Sequence, residues 1–372
     1  MTGPPVGDTV SRGGNRDFMQ PAIRIVALFL ACALGVLAAG VSEAREILAN
    51  GQSTPAFKEI WAYLMQGEEK ELTGAEPITR LCYFAASLAR DGRITDVIAR
   101  PVITLQGGRQ PRIDLVIADL SNSSLMHFAL DPEYGVRPLL IDDICRVSDA
   151  FDGVQIDFEA VSRDDAQYFF GFLQDLKARL PAGKLLSIAV PARTTLVTDA
   201  YDYTRIAPIV DRLAIMAYDE HWSTSAPGPV ASLPWCAKVV DYAQGVVESG
   251  RIVMGLPLYG RAWQDKRLSR ALRFKNVQDL VASTGSTPSY ASELGAYFEY
   301  SESVVVKVFY DDARTIREKL SLYEVKGISS VSFWRIGQGP PELWSSMASE
   351  ELAMSPDGGY AEAVSGGAQA AP

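Results

Sequence analysis

Eight short apolar runs, each followed by a helix-length segment, limit what this chain can fold into more than any other feature. They are Glu59–Leu64, Ile78–Ala86, Ile113–Ala118, Phe151–Glu159, Leu185–Val190, Leu213–Tyr218, Ile252–Leu256 and Ile328–Trp334. Runs of this length between turn signals read as strands. Helices are expected over Pro138–Ala150, Arg163–Leu180, Trp235–Val247 and Asp311–Tyr323. In the second of these, Ser162 stands as N-cap, Phe169, Phe172, Leu173 and Leu176 recur at helical spacing, and Pro181-Ala182-Gly183 ends the pattern. Alternating strands and helices build parallel βα units. Eight such units close into a (β/α)8 TIM barrel, an α/β fold.

The barrel is expected over residues 45–350. Residues 264–308 are too many for one connection and read as a small α+β insertion between the seventh and eighth strands. It has a helix around Asn276–Ala282 and strands at Ala296–Tyr300 and Val304–Phe309. Residues 1–44 read as a targeting segment. The apolar run Ile25–Val41 follows Arg24 and ends at Ser42-Glu43-Ala44, whose small residues suit a signal peptidase. The lead Met1–Phe18 is long and polar, and a start at Met19 would leave an ordinary signal peptide. Two alternatives stay open: an uncleaved anchor, because the run is near the lower limit for spanning, and lipidation at Cys32 in Phe29-Leu30-Ala31-Cys32. Residues 351–372 are rich in Gly, Ala and Ser and read as a disordered tail. The expected location is outside the cytoplasm: periplasm, cell envelope or medium.

The net charge of −10, with no dense Lys/Arg run, argues against nucleic acid and against an anionic membrane surface as partners. Membrane contact is expected only through the N-terminal segment, if it is uncleaved or lipidated. Beyond Cys32 the cysteines are Cys82, Cys145 and Cys236, an odd number at wide spacing with no CxxC pair. Neither a disulfide framework nor a zinc site follows. Cys82 and Cys145 read as small buried hydrophobes. His127 and His221 are the only histidines, and a site built on them is not expected. No Gly-rich strand-to-helix turn calls for a dinucleotide, so no cofactor and no metal is expected.

In the fourth run Val154, Ile156 and Phe158 alternate with Gln155, Asp157 and Glu159. Strand side chains alternate faces, so one face is apolar and the other acidic. Two readings stand on this pattern: an edge strand whose acids face water, or a strand buried on both faces whose costly carboxyls have work to do. In a TIM barrel the C-terminal strand ends build the site. Here those ends carry Asp157 and Glu159, then Tyr218-Asp219-Glu220-His221-Trp222, then Tyr259-Gly260-Arg261, then Trp334. Aromatic faces stack on pyranose rings, and carboxylic acids protonate glycosidic oxygens. Two close carboxyls also resist double ionisation, which keeps a proton on one of them. Trp61, Trp235 and Trp344 read as structural.

Asp152-Gly153-Val154-Gln155-Ile156-Asp157-Phe158-Glu159 resembles the Asp-Gly-x-Asp-x-Asp-x-Glu signature of family 18 glycoside hydrolases, the chitinase-like family. Met216-Ala217-Tyr218-Asp219, Gly255-Leu256-Pro257-Leu258-Tyr259-Gly260-Arg261 and Phe333-Trp334-Arg335-Ile336-Gly337 resemble its strand-six, strand-seven and strand-eight motifs, in the right order. The resemblance covers roughly Glu46 to Trp344, and Tyr218-Asp219-Glu220-His221-Trp222 is most similar to peptidoglycan-cutting spore-cortex members.

The resemblance implies an exported glycosidase acting on β-1,4-linked N-acetylglucosamine, in chitin or peptidoglycan, by a substrate-assisted retaining mechanism. By the same resemblance Glu159 is the general acid, Asp157 orients the acetamide and Tyr218 binds its oxygen. Asp219 shapes the sugar site, and Trp334 is its floor. Tyr259 and Arg261 are further candidates for substrate binding. Asp152 is expected to anchor the strand. Gln155 stands where the signature has its second Asp; it is expected to hydrogen-bond Asp157 from the next layer. Asp119-Leu120-Ser121-Asn122-Ser123-Ser124 stands where many chitinases have a Gly-rich strand end. The alternatives are a sugar-binding, catalytically weak or silent relative, and a scaffold protein on the same fold. The presence of Glu159 favours the enzyme.

Overall fold

The computed structural model describes residues 57–96, 98–264, 269–301 and 305–347. The expected targeting segment, 1–44, and the expected tail, 351–372, lie outside the described residues.

Thirteen strands run through the described chain: β1 Glu59–Met65, β2 Arg80–Ser87, β3 Arg112–Asp119, β4 Gly153–Phe158, β5 Leu185–Pro191, β6 Arg212–Met216, β7 Ile252–Pro257, β8 Tyr259–Gln264, β9 Arg270–Arg273, β10 Ser289–Ala291, β11 Gly295–Ser301, β12 Val305–Tyr310 and β13 Ser330–Trp334. Eight of them close a barrel in the order β1-β13-β7-β6-β5-β4-β3-β2. Every neighbouring pair in it is parallel.

The strand alternation decides which side chains go where. Trp61, Tyr63, Cys82, Val116, Ala214 and Val253 come from five strands and form one cluster, which fills the barrel interior. The opposite faces carry Ile60, Leu64, Val154, Ile156 and Phe158 toward the helices, all essentially without solvent exposure. Each such burial contributes about 1.5–3 kcal/mol. Phe158 stacks on Phe172 at 5.7 Å and lies 6.3 Å from Phe169. These contacts seat the helix Ala166–Arg179 on β4. Every residue of β4 is buried, so the edge-strand reading fails.

At the N-terminal end of the barrel Arg80 pairs with the fully buried Asp114 at 2.5 Å, and Arg212 pairs with Glu59 at 2.8 Å. Gly153 is required here. A Cβ on it would lie 2.5 Å from an Asp114 oxygen and 2.7 Å from the Leu185 carbonyl.

Between β7 and β13 the chain forms a separate antiparallel sheet in the order β10-β11-β12-β8-β9. The helix Phe274–Thr284 packs against it, with Phe274, Val277, Phe298, Val306 and Val308 in its core. The insertion is therefore wider than the expected 264–308: it begins at Tyr259 and runs through Tyr310. Apart from Gly260 and Arg261, residues 258–263 are apolar and give no sign of an antiparallel partner. In the structure the barrel strand ends at Pro257, and residues 261–264 pair with β12 instead.

A helix at Ser123–Leu130 was not expected. Asn122 caps it by accepting from the Leu125 N–H at 3.0 Å. Cys82 is buried as expected, but Cys145 is only half-buried. Among the described residues no helix is long and apolar enough to cross a membrane.

Candidate active site

A cleft of about 480 Å³ opens where the barrel strands end. Asp157 and Glu159 enter it from the end of β4, Tyr218 and Asp219 from the turn after β6, Tyr259 from the start of β8, and Trp334 from the end of β13. Six residues from four separate segments of the chain thus meet in one concavity.

The period of β4 sets the acids. Gln155 and Asp157 point inward, and Glu159 follows on the same side just past the strand, where its N–H donates to the Asp119 carbonyl at 2.9 Å. Asp157 is 4% exposed, and its buried Oδ1 has no hydrogen-bond partner. Burial, and then the charge of Glu159, push its carboxyl up to about 7. Glu159 is open to solvent through the cleft. Its carboxyl is also raised, first by the desolvating walls and then by Asp219. Interacting carboxyls of this kind titrate as a set rather than one by one.

Tyr218 stays a neutral O–H donor. Burial, and then Asp157, Glu159 and Asp219, push its phenol well above the ordinary range. Gly255 makes room for it: a Cβ there would lie 3.0 Å from a Tyr218 ring carbon and 2.7 Å from the Ile215 carbonyl. Asp219 has a left-handed backbone, φ 58°. Its Oδ1 accepts from the Tyr259 hydroxyl at 2.6 Å and from Arg261 Nη2 at 3.1 Å. Arg261 is therefore not a lining residue; it reaches the cleft through Asp219. Trp334 is half-buried, with Tyr63 at 5.2 Å and Phe84 at 5.4 Å edge-on. The Trp334–Arg335 peptide bond is cis.

Asp152 lies outside the cleft, where β4 begins. It accepts from the Ile113 N–H at 2.7 Å and pairs with Arg100 at 2.7 Å and Arg112 at 3.2 Å. Gln155 does not hydrogen-bond Asp157 as expected. Its Nε2 donates to Ser187 Oγ at 3.2 Å, and its buried Oε1 has no partner. Register explains the difference. Ser187 stands directly beside Gln155 on β5, whereas residues two apart on one strand are separated by about 6.6 Å along it.

Several lining residues escaped the sequence reading. Tyr63, Phe84, Arg193 and Trp235 line the cleft, beside Trp222 from the strand-six end already singled out. Trp235 was read as structural. It sits in the first turn of the helix Leu233–Val246, where Ser232 Oγ accepts from its N–H at 3.3 Å. Glu220 in turn accepts from the Ser232 N–H at 2.7 Å and ties that helix start to the loop after β6. The usable signal was a tryptophan in the first turn after a long loop leaving the site. His221 does not line the cleft. Its Nδ1 lies 2.9 Å from the Pro229 carbonyl, and its ring covers Gly228. Among the described residues no group of three or more His, Cys, Asp or Glu is placed to hold a metal ion.

The model of a family described as Glycosyl hydrolases family 18 matches residues 140–339. The chain is 32% identical over 206 residues to the putative sporulation-specific glycosylase YdhD of Bacillus subtilis (strain 168), covering 52% of this chain and 49% of the relative. It is 25% identical over 295 residues to the cortical fragment-lytic enzyme of Bacillus anthracis, covering 72% and 66%. It thus spans about half the length of the first relative and just under two thirds of the second. Among solved structures, the spore cortex-lytic enzyme SleL of Bacillus cereus superposes with a TM-score of 0.70 at 25% identity, covering 79% of this chain and 74% of that one.

Proposed function

The chain belongs to glycosyl hydrolases family 18, and on that premise we propose that it cleaves β-1,4 bonds of N-acetylglucosamine-containing glycans by a substrate-assisted, retaining route. The observation that carries this reading is the pairing of a buried carboxyl, pushed up to about 7, with a second, more open one beyond it in an aromatic-walled cleft. A lone buried acid could be structural. A buried acid with an unpartnered oxygen beside an accessible one leaves a hydrogen-bond position for a substrate.

In this reading Glu159 protonates the leaving glycosidic oxygen and later takes a proton from the attacking water. The nucleophile is the carbonyl oxygen of the substrate's own acetamide, whose attack on the anomeric carbon expels the leaving sugar and forms an oxazolinium ion. Asp157 accepts from the acetamide N–H and stabilises that cation. Tyr218 donates to the acetamide oxygen. Trp334 supports the face of the sugar, and Asp219, held by Tyr259 and Arg261, sets the wall beside it. Asp152 fixes the start of β4 and keeps the register of the acids.

The relatives named for cortex and cortical fragments favour peptidoglycan over chitin as the physiological glycan. The apolar run at 25–41, which lies outside the described residues, supports export of residues 45–350 as the working domain. Gln155 in place of an acid favours one further reading, a slow or sugar-binding relative.

The test is incubation of the purified protein with peptidoglycan sacculi and with chitin oligomers, beside Glu159→Gln. Wild type should release fragments, and the variant should lose about 10²–10⁴-fold in kcat, the usual contribution of a positioned acid. Binding of either glycan with no turnover by wild type would favour the sugar-binding reading.

A further inference from the structure

One charged residue of the cleft has no part in the mechanism above. Arg193 follows β5 and is the sole cation among the described residues that line the cleft, a lining that also includes Asp157, Glu159 and Asp219. A neutral N-acetylated sugar needs no cation there. Nor does Arg193 serve only to neutralise a neighbour. It pairs with Asp199 through Nη2 alone, although a guanidinium can meet a carboxylate with two parallel bonds. Its Nε is buried with no hydrogen-bond partner. Asp199 is itself fixed, accepting from the Tyr201 N–H at 2.9 Å. The guanidinium is thus tied through one nitrogen, and the side chain keeps 21% exposure where it lines the cleft.

We propose that Arg193 is a specificity-determining residue that receives a carboxylate carried by the substrate sugar, such as the lactyl acid of a muramic-type unit. The inference rests on the glycan-binding reading above and extends it. A carboxylate substituent would meet repulsion from the acids of this cleft, in a chain of net charge −10. Arg193 supplies a local counter-charge and a planar donor edge to offset it. A glycan with an acidic substituent therefore gains a contact that a uniform N-acetylglucosamine chain does not.

The test uses the full chain carrying Glu159→Gln, so that ligands survive. Affinities are measured by calorimetry for two tetrasaccharides: N-acetylglucosamine alone, and one alternating with N-acetylmuramic acid bearing free lactyl carboxylates. Adding Arg193→Gln should weaken binding of the acidic ligand about tenfold more than that of the neutral one, as expected for losing a charged hydrogen bond. Arg193→Lys should restore part of the difference. Asp199→Asn, which frees the guanidinium, should increase the preference for the acidic ligand, and added salt should reduce it. Equal weakening of both ligands by Arg193→Gln, or an unchanged ratio with Asp199→Asn, would overturn the proposal. Turnover by the Glu159 protein is scored separately. A wild type that cleaves neither glycan, yet keeps the Arg193-dependent preference, would sink the hydrolase reading alone.

Discussion

Asp219 acts on Glu159 through its charge, and this makes Glu159 tunable from the turn after β6, two strands away in the barrel. Asp219→Asn removes the second of the two causes that raise Glu159, burial being the first. The carboxyl of Glu159 should fall but stay above its ordinary value. The proton that Glu159 donates in the proposed reaction is then lost at lower pH, so the alkaline limb of kcat/KM should move to more acidic pH. A profile that keeps its limb in place while the rate drops would show that Asp219 acts only by shape. At this scale the sequence was legible where chemistry and strand period coincide, as at Asp157 and Glu159. It was illegible at Arg193 and Trp235. Each is one ordinary residue in its segment, and only the closure of the barrel brings them to the cleft. Gln155 lies between these cases. Its position was readable, but its partner was set by the register against β5.

The small antiparallel sheet works as a support for the cleft. β8 carries Tyr259 and Arg261, which hold Asp219, and β8 is held in turn by β12. Phe298, 2% exposed, is central to the core of that sheet. Phe298→Ala should cost about 3–5 kcal/mol, read as a lower denaturant midpoint. It should also reduce kcat/KM, because Asp219 loses a firm backing. Lost stability with full activity would disconnect the sheet from the site. The barrel elements could be read from apolar runs and helical spacing because each must bury one face. The limits of the insertion could not, since Tyr259–Gln264 reads like the end of a barrel strand until its antiparallel partner is known. The helix Ser123–Leu130 was hidden by its polar start, Asn122-Ser123-Ser124, which is capping chemistry and resembles a loop.

Across the whole molecule the site has a cost in stability. Folding raises Asp157 to about 7 and Asp114 to about 6. The native chain therefore holds protons that the unfolded chain releases as pH rises from about 4. Stability should fall over that range and level off above about 7. Opposing it at lower pH, Asp143 is held below its ordinary value, chiefly by Arg93, and its contribution disappears as pH falls below about 4. Mildly acidic solution should be the most stabilising. Asp157→Asn should stabilise the fold more at pH 8 than at pH 4, by on the order of 4 kcal/mol. Urea titrations at both pH values decide this, and an equal effect at each would contradict the burial argument. The same architecture bears on the order of events during synthesis. β1 has β2 on one side and β13 on the other, so the ring joins strands from the two ends of the described chain. A growing polypeptide that has not yet delivered β13 leaves the edges of β1 and β7 open. The barrel can seal only once β13 has been made, and chains stalled shortly before that point should be the ones that aggregate.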